Sequence, residues 1–289
     1  MDIEAHGDAG GKAAQPLLLR RLLPPGRPAE VSEVVRELGL WERPVSGAAE
    51  RPRVLLNMIS SADGRATLEG RSGGLSGAAD RALFHALRVP VDAVLVGAGT
   101  VRAERYRRLI RERADRELRA QRGLSEEPLA CIVSRSLTLG PGIPLLEDPY
   151  ARVIVLTASD GELPGSARRV EYVRAQRAGE LDFAAALTRL RHDFGVQSLL
   201  CEGGPHLGAQ LLAEGLLDEL FLSISPKLTG GDPQTGSALR ILAGTELRPP
   251  ATLELLGALE SDSHLFLRYG VGAPERVSRE TTPSSSLAS

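Results

Sequence analysis

The chain has 289 residues, long enough for one large or two modest domains with a substantial core. Its 35 basic and 37 acidic side chains leave a formal net charge of -2, which gives no general attraction to nucleic acid or to a membrane surface and points to a small-molecule partner. No apolar run approaches the roughly 18 residues needed to cross a bilayer, and the start, MDIEAHGDAGGK, has no apolar signal core, so a cytoplasmic protein is expected.

Residues 1–50 are rich in Gly, Pro, Ala and Arg and read as a partly ordered arm, with one short helix over 28–40 whose Val31, Val34, Val35 and Leu38 fall at helical spacing. From residue 51 the pattern alternates. Strands are predicted at 54–59, 93–96, 129–133, 153–157, 170–173, 198–201 and 220–224, mostly continuous apolar runs of the kind buried on both faces. Helices are predicted over 78–88, 101–122, 182–194 and 206–214. Cys131 and Cys201 each lie inside an apolar run and read as small buried hydrophobes, so neither a disulfide nor a metal site is expected. The segments 253–259 and 265–269 flank the polar turn Glu260-Ser-Asp-Ser-His264 and predict a closing antiparallel hairpin. The polar, Ser/Thr-rich residues 273–289 read as a disordered tail. With no composition shift inside 51–272, the expectation is one α/β domain, helices layered on a mixed, mostly parallel sheet that ends in an antiparallel hairpin.

Two glycine-rich strand-to-helix turns stand out: Val96-Gly97-Ala98-Gly99-Thr100 and Glu202-Gly203-Gly204-Pro205-His206. Each leaves unpaired backbone N–H groups at a helix start, a ready site for a phosphate, although each alone serves equally as a tight turn. The first is not a dinucleotide fingerprint, because Arg102 stands where the third glycine belongs. Together, at the carboxyl ends of central strands, they point to a diphosphate and hence a dinucleotide. Pro205 suits the first helical position, where its missing N–H is not needed. Asp63-Gly64 is explained by an ordinary turn, and Ser76 is a plausible N-cap for the helix that ends at Arg88. Arg88 itself suits a helix C-terminus. The arginines of 102–122 alternate with acids at Glu104–Arg108, Glu112–Arg116 and Asp115–Arg119, the spacing of a solvated helix face.

Read in order, N-M-I-S-S-A-D-G at 57–64, G-L-S-G-A-A-D-R at 74–81 with L-R at 87–88, V-G-A-G-T-V at 96–101, and E-G-G-P-H-L at 202–207 followed by L-L-D-E-L and S-P-K-L carry a pattern. The chain resembles the reductase domain of the riboflavin-biosynthesis pyrimidine deaminase/reductase family over about 51–270. The resemblance implies a dihydrofolate-reductase-like three-layer fold, usually a homodimer, that binds NADPH. It implies 5-amino-6-(5-phosphoribosylamino)uracil reductase-like activity, with hydride passing to the ribose C1′ of a ring-opened imine. Such chemistry rests on holding donor and acceptor carbons together rather than on an acid–base triad.

Carried over by position, the resemblance places Thr100 and Glu104 at the cofactor with Gly97 and Gly99. Ser134 and Ser136 fall near its adenosine end, and Gly204 to Gln210, which include Pro205, His206 and Leu207, under the diphosphate and nicotinamide, with Gly203 beside them. Ser72, Arg88 and Glu202 face the substrate, Arg88 as a fork for its phosphate and Glu202 as an acceptor from ribose or pyrimidine. The turn Ser134-Arg135-Ser136 offers hydroxyls and a guanidinium to a 2′-phosphate. Two departures bear on the substrate: Gly74 stands where the family commonly has Trp, and Ala103-Glu-Arg-Tyr-Arg-Arg-Leu109 replaces an A-D-D-P-x-L-T run, putting Arg108 and Arg111 at substrate positions. No His-x-Glu with Pro-Cys-x-x-Cys occurs, so a reductase without the deaminase half is expected. Two other readings remain open. A reductase of dihydrofolate or another pterin needs an acid near the ring, for which Asp63 and Glu202 are the candidates. A non-catalytic NADPH-binding module needs none.

Overall fold

The computed structural model describes residues 17–42, 50–140, 142–163, 170–231, 239–244 and 246–272. In chain order the elements are β1 (Leu18–Leu23), β2 (Ala29–Glu30), α1 (Val31–Glu37), β3 (Arg53–Ser61), α2 (Ala78–Leu87), β4 (Ala93–Gly97), α3 (Ala98–Glu104), α4 (Arg113–Gln121), β5 (Leu129–Val133), α5 (Pro144–Glu147), β6 (Val153–Thr157) and β7 (Val170–Arg174). They continue as β8 (Gln176–Arg177), β9 (Glu180–Leu181), α6 (Phe183–Phe194), β10 (Ser198–Cys201), α7 (Pro205–Ala213), β11 (Glu219–Ser225), β12 (Leu253–Ser261) and β13 (His264–Val271).

Eleven strands form one sheet in the order β2-β1-β12-β13-β11-β3-β10-β4-β5-β6-β7. From β11 to β7 all neighbours are parallel, whereas β13, β12, β1 and β2 join antiparallel. The continuous apolar runs serve two cores. Leu55, Val94, Val96 and Ile132 face one side with α1 and α2, while Val54, Leu56, Leu95 and Cys131 face the other with α6 and α7. Each central strand alternates between the layers, so both faces are mostly apolar. Burial drives the thiols of Cys131 and Cys201 up to about 12, as expected of inert core residues.

Several expectations are corrected. The helix expected over 101–122 is two, α3 and α4, because Arg105 takes a left-handed conformation (φ 48°) and ends α3. Arg113 and Glu117 do form an exposed i, i+4 pair, but the three expected pairs do not form, and several arginines of this stretch serve the backbone instead. Arg119, 1% exposed, donates from Nη1 to the carbonyls of Val89 and Val91, each at 2.7 Å, and Arg116 donates to those of Ile110 and Arg111. Gly77, not Ser76, occupies the N-cap of α2, and the Ser76 hydroxyl bonds Asp80 instead. Within the expected arm, Leu18–Leu23 is a sheet strand paired with β12. The expected tail, 273–289, lies outside the described residues. No helix among the described residues is long and apolar enough to cross a membrane.

Candidate active site

The carboxyl ends of β3, β10, β4 and β5 open into one cleft of about 1460 Å³. Its floor is built by the two glycine turns, which interlock. The Gly97 N–H donates to the Gly203 carbonyl at 2.8 Å, and the Glu202 N–H donates to the Leu95 carbonyl at 2.9 Å. Gly203 has φ +82°, a conformation that favours glycine, and a Cβ on Gly204 would lie 2.9 Å from Thr100 Oγ1. These positions need glycine because the turns approach each other so closely.

Gly204 is the N-cap of α7 and makes no side-chain cap bond, with Pro205 at the first turn as expected. The N–H groups of His206 and Leu207 at the start of α7 therefore face the cleft without an intrahelical acceptor. With the dipole of α7 they give this end of the cleft the donors and the polarity that suit an anion. Gly97, Gly99 and Thr100 line the same floor, while Gly203 lies just behind it with its carbonyl engaged by Gly97. The turn after β5 extends the cleft through Ser134, Arg135 and Ser136. Ser134 is buried and its Oγ accepts from the Leu137 N–H at 3.1 Å, leaving Ser136 and Arg135 as the groups open to a ligand.

The opposite wall is formed by one face of α2, the loop around Ser72 and the segment after α3. Glu104 Oε1 accepts from the Ser72 N–H at 2.8 Å and from its hydroxyl at 3.0 Å, so a residue expected at the cofactor and one expected at the substrate hold each other. Deeper in, Arg88 Nε and Nη2 donate to the two oxygens of Glu202 at 2.7 and 2.8 Å, and the Tyr106 hydroxyl donates to Glu202 Oε2 at 2.5 Å. Arg88 Nη1 donates to the Leu109 carbonyl, and its guanidinium lies 4.4 Å from the Phe84 ring centre. The pair is closed to water, with side-chain exposures of 5% and 1%. Burial opposes the charge on Arg88, but the Glu202 carboxylate outweighs it and raises the Arg88 pKa. Burial and then Glu202 raise the Tyr106 phenol well above its ordinary value.

Two candidates are not brought to the cleft. Arg108 turns outward to pair with Glu127 at 2.6 Å and lie over Tyr150. Asp63 staples a loop, accepting from the Ser61 hydroxyl at 2.5 Å and from the N–H groups of Thr229 and Gly230. The Ser61 bond, with those from Gly230 and Thr229, holds its carboxyl well below the ordinary range. Arg111, by contrast, lines the cleft, as does Arg107. Sequence reasoning passed over Tyr106 and His85, both in the cleft wall; the signal for Tyr106 lay in the departing run 103–109, and that for His85 in its place one turn before Arg88.

The RibD C-terminal domain model matches residues 52–258. The chain is 30% identical over 182 residues to the 2,5-diamino-6-ribosylamino-4(3H)-pyrimidinone 5′-phosphate reductase of Methanothermobacter thermautotrophicus, a match covering 63% of this chain and 81% of that protein. It is 27% identical to the riboflavin biosynthesis protein RibD of Escherichia coli, over 63% of this chain and 50% of that longer protein. The solved structure of a pyrimidine reductase-like protein from Corynebacterium diphtheriae shares the fold, with a TM-score of 0.67 at 22% identity, covering 85% of this chain and all of that one.

Proposed function

The chain belongs to the RibD C-terminal domain family, with its dihydrofolate-reductase-like fold, and from that premise we propose that it is an NADPH-dependent reductase of a 5′-phosphorylated ribosylaminopyrimidine in riboflavin biosynthesis. The observation that carries this reading is the cleft itself. Interlocked glycine turns at the starts of α3 and α7 offer a diphosphate cradle, and a buried Arg88–Glu202–Tyr106 cluster stands at its substrate end. When bound, the nicotinamide supplies the hydride. The chain's part is to hold donor and acceptor carbons together and to exclude water, which needs fixed groups rather than a proton relay.

In this reading the diphosphate rests on the N–H groups of His206 and Leu207, over Gly204 and beside Gly97, Gly99 and Thr100. A 2′-phosphate reaches Arg135 and Ser136, which favours NADPH over NADH. The fork of Arg88 is taken by Glu202, so we assign the substrate phosphate to Arg111 and not to Arg88. Glu202, fixed by Arg88 and Tyr106, shapes the substrate end of the cleft as a buried partner of Arg88. The pterin alternative is disfavoured because it needs a proton at the ring. Asp63 lies outside the cleft, and both oxygens of Glu202 accept from Arg88 and Tyr106. We place the protein in the cytoplasm as a homodimer, for which the exposed leucines Leu18, Leu22, Leu253 and Leu255 of β1 and β12 offer an apolar contact.

The test is oxidation of NADPH, followed by its near-ultraviolet absorbance, with the phosphorylated ribosylaminopyrimidine supplied. Turnover is expected with NADPH preferred to NADH, and dihydrofolate should be inert. NADPH binding without turnover of any candidate would instead establish the non-catalytic module.

A further inference from the structure

His85 stands one turn before Arg88 on α2, and its half-buried ring lines the cleft. The ring is held edge-on against Phe84, with centres 5.4 Å apart and planes at 70°. Its Nδ1 is buried and has no hydrogen-bond partner. Burial, then the charges of Arg88 on the same helix and Arg111 on the segment between α3 and α4, drive the His85 pKa down to about 4, so the imidazole is neutral near neutral pH and carries one N–H. A buried N–H without an acceptor costs more than a buried lone pair without a donor, so the hydrogen belongs on Nε2, at the edge of the ring turned to the cleft.

Arg88 is matched by Glu202, but among the described residues Arg111 has no carboxylate partner. Two groups that line the cleft here are thus donors only, the His85 N–H and the Arg111 guanidinium, and the charge of Arg111 is felt at His85. A ribose hydroxyl or a ring amine would bring donors of its own. The group that satisfies both accepts only and carries negative charge, which describes a phosphate monoester.

We propose that His85 is a specificity-determining residue that donates its single Nε2–H, beside Arg111, to the 5′-phosphate of the substrate. The proposal rests on the phosphorylated-substrate reading above. It predicts that the donor matters and the imidazole's acid–base chemistry does not, so an amide should replace it.

Calorimetric titration of the NADPH-loaded protein with ribose 5-phosphate and with ribose tests this. Wild type should prefer the phosphate by more than tenfold. His85→Leu should lose about tenfold in ribose 5-phosphate affinity, with ribose affinity and NADPH affinity unchanged, because a bond to a charged acceptor is lost. His85→Gln should stay within about threefold of wild type. A His85→Leu variant that keeps the full phosphate preference overturns the proposal. A wild type without phosphate preference overturns the phosphorylated-substrate reading itself, and the proposal with it. Should His85→Leu fail to fold, the wild type still decides: ribose 5-phosphate must shift the His85 Nε2–H nitrogen-15 resonance, assigned by its loss in His85→Gln. A resonance unmoved at saturation overturns the proposal.

Discussion

Replacing Arg88 with methionine tests whether its guanidinium is committed to Glu202. Methionine keeps much of the apolar stem but removes the guanidinium over Phe84, both bonds to the carboxylate and the one to the Leu109 carbonyl. Glu202 would be left at 1% side-chain exposure with the Tyr106 hydroxyl as its remaining partner. Breaking one side of a buried ion pair costs about 3–5 kcal/mol, since the other charge stays out of water. For a domain of this size each kcal/mol is worth roughly 2–4 °C, so Tm should fall by roughly 6–20 °C. The double variant Arg88→Met/Glu202→Leu removes the stranded charge and should recover at least half of the loss, offset in part by about 1–3 kcal/mol for the unpartnered Tyr106 hydroxyl. Urea unfolding with matched m-values measures both. A single variant that loses under about 1 kcal/mol, or a double variant no better than the single, would show that the pair is open in solution and the Arg88 fork available to a ligand.

Two further outcomes follow from the same geometry. A branched side chain at Gly204 meets Thr100 Oγ1, so Gly204→Val should weaken NADPH binding more than tenfold, over about 1.4 kcal/mol; unchanged affinity in a folded variant removes the diphosphate cradle. The His85 pKa is depressed from 6.5 to about 4, so its contribution to stability is complete above pH 6.5 and is lost as pH falls from there through 4. For a half-exposed ring that is roughly 1 kcal/mol, and His85→Gln should flatten that part of the stability–pH curve.

Strands buried on both faces were legible because nothing interrupts them: 129–133, 153–157 and 198–201 coincide with β5, β6 and β10. The outer strand β1 was not, since its sequence, LLRRLL, alternates neither charge nor apolarity at a period of two. The arginine-rich stretch misled because charges at i, i+4 look alike whether the guanidinium meets a carboxylate or, like Arg119, a row of carbonyls. At the site, the glycine turns were legible because the left-handed backbone at Gly203 and the close approach of Gly204 to Thr100 call for glycine there. Arg88 and Glu202 were each singled out, yet their pairing across 114 residues of chain was not, because it is set by tertiary contact alone. Asp63 shows the converse, an acid in a suggestive turn whose acceptors are all spent on Ser61, Thr229 and Gly230.

The bond from the Gly97 N–H to the Gly203 carbonyl joins two loops far apart in the chain. The entropy of ordering both loops is therefore lost at folding, and a dinucleotide meets a cradle that need not rearrange. By linkage the converse holds as well. A ligand that recognises only the joined loops resists unfolding in proportion to the logarithm of its concentration, so the melting temperature depends on what the solution contains. Substitutions deep in β4 or β10 that loosen this one contact, though they touch no ligand, would then surface as a rise in the cofactor's dissociation constant with the chemical step left intact.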